Sequence, residues 1–256
     1  MSVDSRLAGL KRTVAELLSG EQTTETVGAA QRWIEARAHL SSAAIFAELQ
    51  RMISPRGLVE KSPTNTRPDA LARIRDSFPD AVFLHVTRHP RANCRSQHSV
   101  YKDRGPEGDQ AFDYEQHWRR RNRLCLEFGA TLPASQYMLL HGEWVFEDPR
   151  TVFAQISEWL GLRTDDTAID AMMRPEDSPY AKIGPAGAFG GNNKGFMANP
   201  QLRAGRIPKV PLAGPLDWMA EPAAGFDPKT RHLAHQLGYG WDDLPVPQDD
   251  NIQEVV

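Results

Sequence analysis

The sequence has little cysteine, and its cysteines are not arranged to build a disulfide framework or a metal site. Only two of its 256 residues are cysteine. They are Cys94 and Cys125, which lack the C-x-x-C spacing of a metal or redox motif. His89, His98 and His117 also lack a mutual spacing that indicates a ligand set, so we expect no metal and interpret them as structural or surface residues. So little cysteine favours a reducing cytoplasm as the location.

Long apolar runs and a large excess of one charge are absent as well. No run approaches the ~20 apolar residues of a membrane helix, and residues 1–6 contain no apolar stretch of the kind that a secretory signal carries. The formal net charge is −3, which gives no overall field to attract nucleic acid or an anionic membrane. We therefore expect neither a membrane span nor a nucleic-acid partner.

The composition that remains is that of an ordinary globular protein. Hydrophobic residues make up 40% and charged residues 25% of the chain. At 256 residues it is long enough for one domain with a well-buried core. We predict one domain over residues 1–245, with a helical part at 1–55, a βαβ core at 56–175, and a late loop and C-terminal helix at 176–245. A flexible tail follows at 246–256.

Hydrophobic spacing predicts the order of the elements. Apolar residues recur at helical intervals through the first ~55 residues. Short apolar runs then predict buried strands at residues 58–61, 82–87 and 137–140, with helical patterns between them. Alternating strands and helices indicate parallel βαβ units, with helices on both faces of the sheet. The fold class predicted from this pattern is α/β.

Three segments carry side chains suited to chemistry. The runs E-K-S-P-T-N at 60–65 and R-H-P-R-A-N-C-R-S at 88–96 each follow a predicted strand, and G-G-N-N-K-G at 190–195 is in the late loop. Sites of α/β proteins lie at the carboxyl ends of strands. Each segment also has an ordinary structural explanation, as a solvated strand end or as a turn. The basic run at 119–123 is interpreted as the solvated face of a helix.

Taken together, these segments resemble the PAPS-dependent sulfotransferase family, in which 3'-phosphoadenosine-5'-phosphosulfate (PAPS) donates a sulfuryl group. The resemblance rests on E-K-S-P after one strand and R-x-P after the next, with a serine eight residues beyond that arginine. It continues through G-E at 142–143, W-L-G-L at 159–162, and the segments P-E-D-S-P-Y at 175–180 and G-P-L-D-W at 214–218. In all, it covers roughly residues 30–240.

The resemblance implies roles for individual residues. Arg88 and Ser96 match the positions that hold the 3'-phosphate of the donor, and a guanidinium and a hydroxyl suit that task chemically. Glu60 matches a glutamate that acts as general base on the acceptor, and Lys61 could stabilise charge on the transferred group. The late-loop residues that match where the family folds over the nucleotide are Asn193, Lys194 and Gly195.

The sequence departs from the family at its first motif. The family opens with a strand and a P-R-S-G-T-T-like loop, whose amides hold the 5'-phosphosulfate, and no such run is present. We therefore expect a P-loop-NTPase-like parallel sheet that lacks its N-terminal strand and P-loop, leaving a gap or a re-paired sheet. We also expect weak or absent sulfuryl transfer by this chain.

The predicted activity is sulfuryl transfer from PAPS to a hydroxyl or amine, on a small-molecule, carbohydrate or lipid acceptor. The alternative is a non-catalytic module that binds the nucleotide product, adenosine 3',5'-bisphosphate (PAP), or another protein. A nucleotide kinase of the P-loop type is disfavoured because the sequence contains no G-x-x-x-x-G-K-[ST] motif.

Overall fold

The computed structural model of the protein describes residues 7–101, 112–189, 194–219 and 225–240. Two strands lie in these residues, β1 (Phe83–Thr87) and β2 (Tyr137–His141). The helices before β2 are α1 (Ala8–Ser19), α2 (Thr24–Glu35), α3 (Ser42–Ile53), α4 (Pro68–Ser77), α5 (Pro90–Tyr101) and α6 (Tyr114–Gly129). The helices after β2 are α7 (Gly142–Glu147), α8 (Pro149–Trp159), α9 (Asp166–Met172), α10 (Lys194–Ala198) and α11 (Pro228–Gln236).

The chain forms two compact units. The first consists of Met1–Lys61 and Arg163–Arg203, and the second of Ser62–Leu162 and Ala204–Val256. The single domain predicted over residues 1–245 stays a prediction. The predicted tail at 246–256 lies outside the described residues.

The first unit begins with the predicted helices. Thr23 caps α2, because its hydroxyl accepts the Thr26 N–H at 3.2 Å and the Thr26 hydroxyl accepts the Thr23 N–H in return. Ser41 caps α3 through the Ala44 N–H at 3.1 Å. The apolar faces of α1, α2 and α3 form one core, and its fully buried members include Val14, Ala30 and Leu49. The predicted helical start is therefore confirmed.

The strand predicted at residues 58–61 is wrong. Residues 57–62 form neither helix nor strand, and the Val59 side chain is 89% exposed. The Leu58 N–H donates to Oε1 of Gln50 on α3 at 3.1 Å, and Nε2 of Gln50 donates to the Arg56 carbonyl at 2.7 Å. A short apolar run becomes a strand only where a neighbouring strand pairs with it and apolar groups cover it. Here a helix side chain satisfies the backbone instead.

The second unit contains the other two predicted strands, which are confirmed as parallel and adjacent. They pair in the register Phe83↔Tyr137 to Thr87↔His141. One face of this sheet carries His85 and Thr87, whose side chains contact α6. The other face carries Met138 and Leu140, which pack against Val152 and Ile156 of α8. Helices pack against both faces of the sheet, but Leu84 and Val86 of β1 are 40% and 56% exposed, so the strand predicted to be buried at 82–87 is buried on one face only. The fold is a helix-rich α/β arrangement with a small parallel sheet.

The main core of the second unit joins α6, the late segment and the C-terminal helix. Trp118 of α6 packs with Leu212, Leu216 and Leu233, all of which are buried. Gly129, the last residue of α6, approaches Tyr137 so closely that a Cβ there would overlap the aromatic ring. A glycine is needed at this point because it lets the end of α6 lie directly against the first residue of β2.

Candidate functional site

A cavity of about 1030 Å³ lies in the second unit, at the carboxyl ends of both strands. This is where open α/β sheets bind their ligands. Its walls come from the strand ends, from α5 and α6, and from two late segments. The lining includes Thr87, Arg88, His89, Ala92, Asn93, Trp118, Asn122, His141, Gly142, Glu143, Trp144, Phe146, residues 206–211 and Tyr239.

The structure places the predicted residue Arg88 in this cavity. It directly follows β1, and its side chain is exposed along the cavity wall. The backbone there is fixed, because the Arg88 carbonyl accepts a hydrogen bond from the indole Nε1–H of buried Trp118 at 2.9 Å. The cavity thus contains a cation that is held on a rigid strand end.

Ser96 is exposed on α5 and is not among the cavity-lining residues. Ala92 and Asn93, which do line the cavity, precede it by four and three residues on the same helix. Residues at these spacings share one helix face, and each turn advances about 5.4 Å. Ser96 therefore lies one turn beyond the cavity wall, on the face of α5 that forms that wall.

The remaining predicted residues belong to the first unit. Glu60 and Lys61 are exposed and lie in the irregular stretch that follows α3. Partial desolvation lowers the pKa of Lys61, while the neighbouring Glu60 carboxylate opposes that shift. Lys194 and Gly195 are the first two residues of α10. Asn193 lies outside the described residues.

Glu143 is a site residue to which the sequence analysis gave no role. One carboxylate oxygen accepts the His89 N–H at 2.8 Å, and the other accepts the Tyr239 hydroxyl at 3.1 Å. This half-buried side chain therefore ties the end of β1 to the C-terminal segment. The sequence contains a signal that Glu143 is a site residue, because it lies just after β2 as Arg88 lies just after β1.

His89 is buried in the neutral form beside this carboxylate. Its Nδ1 accepts the Arg91 N–H at 3.2 Å, so the ring proton is on Nε2. That nitrogen is buried and has no hydrogen-bond partner among the described residues. Burial and the nearby Arg91 charge lower the pKa of His89 to about 4. The interpretation of His89 as a structural residue is consistent with this buried position, although the residue also lines the cavity.

His141 forms an aromatic cluster at the end of β2. Its Nε2–H donates to the Leu237 carbonyl at 2.7 Å. The ring stacks with Trp144 at a centroid distance of 4.3 Å and with Tyr239 at 4.4 Å. Burial lowers the pKa of His141 and, together with the Glu143 charge, raises the pKa of Tyr239. The cluster therefore presents neutral, flat side chains to the cavity.

A second polar network underlies the cavity. His85 Nε2–H and the Thr87 hydroxyl both donate to Oδ1 of Asn122, at 3.0 and 2.9 Å. Nδ2 of Asn122 donates to the Trp118 carbonyl at 2.8 Å. The Tyr137 hydroxyl donates to the remaining His85 nitrogen at 2.7 Å. All of these groups are satisfied by one assignment of protons, which locks α6 onto both strands.

The late segment at residues 206–211 adds two further basic residues, Arg206 and Lys209, to the cavity lining. The acidic residues in the cavity lining are Glu143 and Glu147, and Glu143 is already engaged by two donors. Cations that line one cavity favour an anionic ligand such as a phosphate ester. Within residues 7–101, 112–189, 194–219 and 225–240, no group of three His, Cys, Asp or Glu side chains could hold a metal.

Comparison with known proteins now identifies the class. Residues 3–166 match the sequence profile described as "Sulfotransferase family". Because this match spans more than half of the chain, the protein belongs to the sulfotransferase family. The predicted resemblance is thereby confirmed, and the protein is a transferase of the sulfotransferase type. No curated protein sequence matches the chain significantly.

Two solved structures share the fold. One is a sulfotransferase domain from the curacin biosynthetic pathway, with a TM-score of 0.69 and 21% identity, covering 91% of this chain and 80% of that one. The other is a sulfotransferase domain from the Synechococcus PCC 7002 olefin synthase, with a TM-score of 0.66 and 27% identity, covering 93% and 76%. In the described part of the chain, no helix combines the length and apolar character needed to cross a bilayer.

Proposed function

We propose that the protein transfers a sulfuryl group from PAPS to a hydroxyl or amine on a small-molecule, carbohydrate or lipid acceptor. In this reaction the bond between sulfur and the bridging phosphate oxygen breaks, and a bond from sulfur to the acceptor forms. PAP leaves with the electron pair of the broken bond. The acceptor proton passes to a general base, for which we propose Glu60.

The observation that carries this proposal is the set of cations in one cavity. Arg88, Arg206 and Lys209 line a cavity whose volume is at the upper end of the 300–1,000 Å³ that is typical of small-molecule sites. A guanidinium pairs bidentately with phosphate, and the backbone of Arg88 is held at the strand end by Trp118. This arrangement supports a doubly phosphorylated nucleotide as the ligand.

Within this scheme Arg88 and Ser96 bind the 3'-phosphate. Arg88 directly follows β1, and Ser96 is on the face of α5 that forms the cavity wall. Lys61 is proposed to stabilise charge on the transferred group, and Asn193, Lys194 and Gly195 to fold over the nucleotide. We place the protein in the cytoplasm, which is consistent with two cysteines that are both free thiols.

Replacing Arg88 is the direct test of the nucleotide site. We expect Arg88→Ala to weaken PAP binding by ~1.5–3 kcal/mol, because one charge-assisted contact to phosphate is lost. Isothermal titration calorimetry with PAP measures this change. Arg120→Ala is the matched control, since Arg120 is an exposed arginine on α6 that does not line the cavity.

Equal affinity in Arg88→Ala and the parent protein would show that the 3'-phosphate binds elsewhere. PAP binding without sulfate transfer from labelled PAPS, tested against mixed hydroxyl and amine acceptors, would favour the alternative of a non-catalytic PAP-binding module. Robust transfer to any of these acceptors would establish the enzyme and would contradict the weak or absent transfer that is expected from the missing P-R-S-G-T-T-like loop.

A further inference from the structure

The late segment is held by one buried arginine. Arg91, in the first turn of α5, is only 7% exposed. Its Nε donates to the Pro211 carbonyl and its Nη1 to the Pro215 carbonyl, both at 2.7 Å. Its Nη2 donates to the carbonyls of Ala213 at 2.7 Å and Gly214 at 3.1 Å. A single guanidinium thus binds four carbonyls within five consecutive residues.

The segment needs such a donor because it forms few hydrogen bonds of its own. Residues 199–215 contain no helix or strand. Four of them, Pro200, Pro208, Pro211 and Pro215, have no N–H to donate. Arg91 supplies donors to four carbonyls of this segment through partly buried hydrogen bonds. The arginine in turn avoids the cost of burying an unsatisfied charge.

The same segment forms a wall of the cavity. Residues 206–211 line it and include the cations Arg206 and Lys209. Pro211 is both the last of these lining residues and the first carbonyl that Arg91 binds. The position of the two cations therefore depends on an anchor that begins immediately beside them.

We propose that Arg91 is a positioning residue, which sets the place of the cationic wall at 206–211 by binding the carbonyls at 211–215. Arg91 itself does not line the cavity, so it acts through the segment rather than on the ligand. The effect of Arg91 on donor binding rests on the function proposed above. The anchoring of residues 206–211 by Arg91 is independent of that function and can be measured without any ligand.

Arg95 provides a matched control. It is one turn further along α5 and also contacts the late segment, through an ion pair with Asp217 at 2.6 Å. Both side chains of this pair are more than half exposed. Exposed ion pairs contribute little, whereas a buried guanidinium satisfied by several carbonyls is costly to lose. Arg91 and Arg95 thus differ in burial while sharing charge, helix and target segment.

The ligand-free experiment is limited trypsin digestion, with cleavage sites identified by mass spectrometry. The variants are Arg91→Met, Arg91→Lys and Arg95→Met. We expect cleavage after Arg206 and Lys209 to accelerate about tenfold or more in Arg91→Met. It should remain at the parent rate in Arg95→Met. Arg91→Lys should be intermediate, because an ammonium keeps the charge but not the planar set of donors.

Cleavage after Arg206 and Lys209 at the parent rate in both Arg91 variants would overturn the proposal. So would acceleration at sites throughout the chain, with a lower melting temperature, since that is loss of overall stability. If Arg91→Met does not fold, Arg91→Lys decides by the same comparison.

PAP titration of the same proteins tests the effect on the donor site. Binding should weaken about tenfold in Arg91→Met and remain at the parent affinity in Arg95→Met. Unchanged affinity in an Arg91→Met protein whose wall is cleaved faster would overturn the link between the anchor and the site. If the parent protein does not bind PAP, the proposed function fails, and the digestion still decides whether Arg91 anchors the wall.

Discussion

The free energy of unfolding is expected to fall steeply as the pH is lowered from about 6.5 towards 4. Burial lowers the pKa of His85 from 6.5 to about 4, and the pKa of His89 shifts to a similar value. Between these limits the unfolded histidines take up protons while the native ones do not, so acidification favours the unfolded chain. The contribution of His85 alone is about 3 kcal/mol over this window. Above pH 6.5 His85 is neutral in both the native and the unfolded chain, so its contribution to the free energy of unfolding is present in full.

The geometry explains why His85 resists protonation. Both ring nitrogens are already engaged, one as an acceptor from Tyr137 and the other as a donor to Asn122. A second ring proton would place a charge beneath the sheet without a carboxylate partner in this network. His141 adds to the effect in the same direction, because burial lowers its pKa also.

Urea unfolding at pH 7.0, 6.0 and 5.0, followed by circular dichroism, measures this dependence. His85→Gln keeps a donor and an acceptor but has no group that titrates in this range, so its stability should change less with pH. His39→Gln is the control, because His39 is exposed in the first unit. Parallel pH dependence in the parent and His85→Gln would show that His85 is not a source of the acid sensitivity.

The elements that could be predicted are those whose signal is local. The run at 82–87 is apolar almost throughout and forms β1, although the structure buries only one of its faces and leaves Leu84 and Val86 exposed. The run at 58–61 has similar local character, but no strand among the described residues pairs with it. Strand formation depends on a partner that can be distant in sequence, whereas helix spacing and caps are encoded within a few residues.

The site was predictable only in part for the same reason. Arg88 was identified because it ends a recognisable strand. Glu143 contacts His89 and Tyr239, which are 54 and 96 residues away, and Arg91 contacts carbonyls 120 to 124 residues away. No local pattern encodes contacts of that range, so a buried arginine next to the site looked like any polar residue at a helix start.

The basic run on α6 also contains both residues whose exposure local sequence predicts and residues whose contacts it does not. Arg120 and Arg123 are exposed, as a solvated helix face predicts. Arg119 instead donates to the Thr230 hydroxyl at 3.1 Å, and Arg121 donates to Thr66. Side chains on one helix therefore differ in role according to which distant segments pack beside them, and the sequence of the helix alone does not reveal this.

Replacing Glu60 is expected to have the largest effect on catalysis. If Glu60 removes the acceptor proton, Glu60→Gln should lower the transfer rate by about 10²–10⁴-fold, the range that is typical for loss of a general base. The amide has nearly the same shape but cannot accept a proton at neutral pH. PAP affinity should be unchanged, because the proposed phosphate contacts come from Arg88 and Ser96.

The measurement is transfer of labelled sulfate from PAPS under saturating donor, with PAP titration of the same protein samples. Glu25→Gln is the matched control, since Glu25 is an exposed glutamate in the first turn of α2. Lys61→Met should also slow transfer, because it removes a cation proposed to stabilise charge on the moving group. Full activity in Glu60→Gln would eliminate the general-base role while leaving the family assignment intact. Loss of PAP binding together with activity would instead place Glu60 in the binding of the donor.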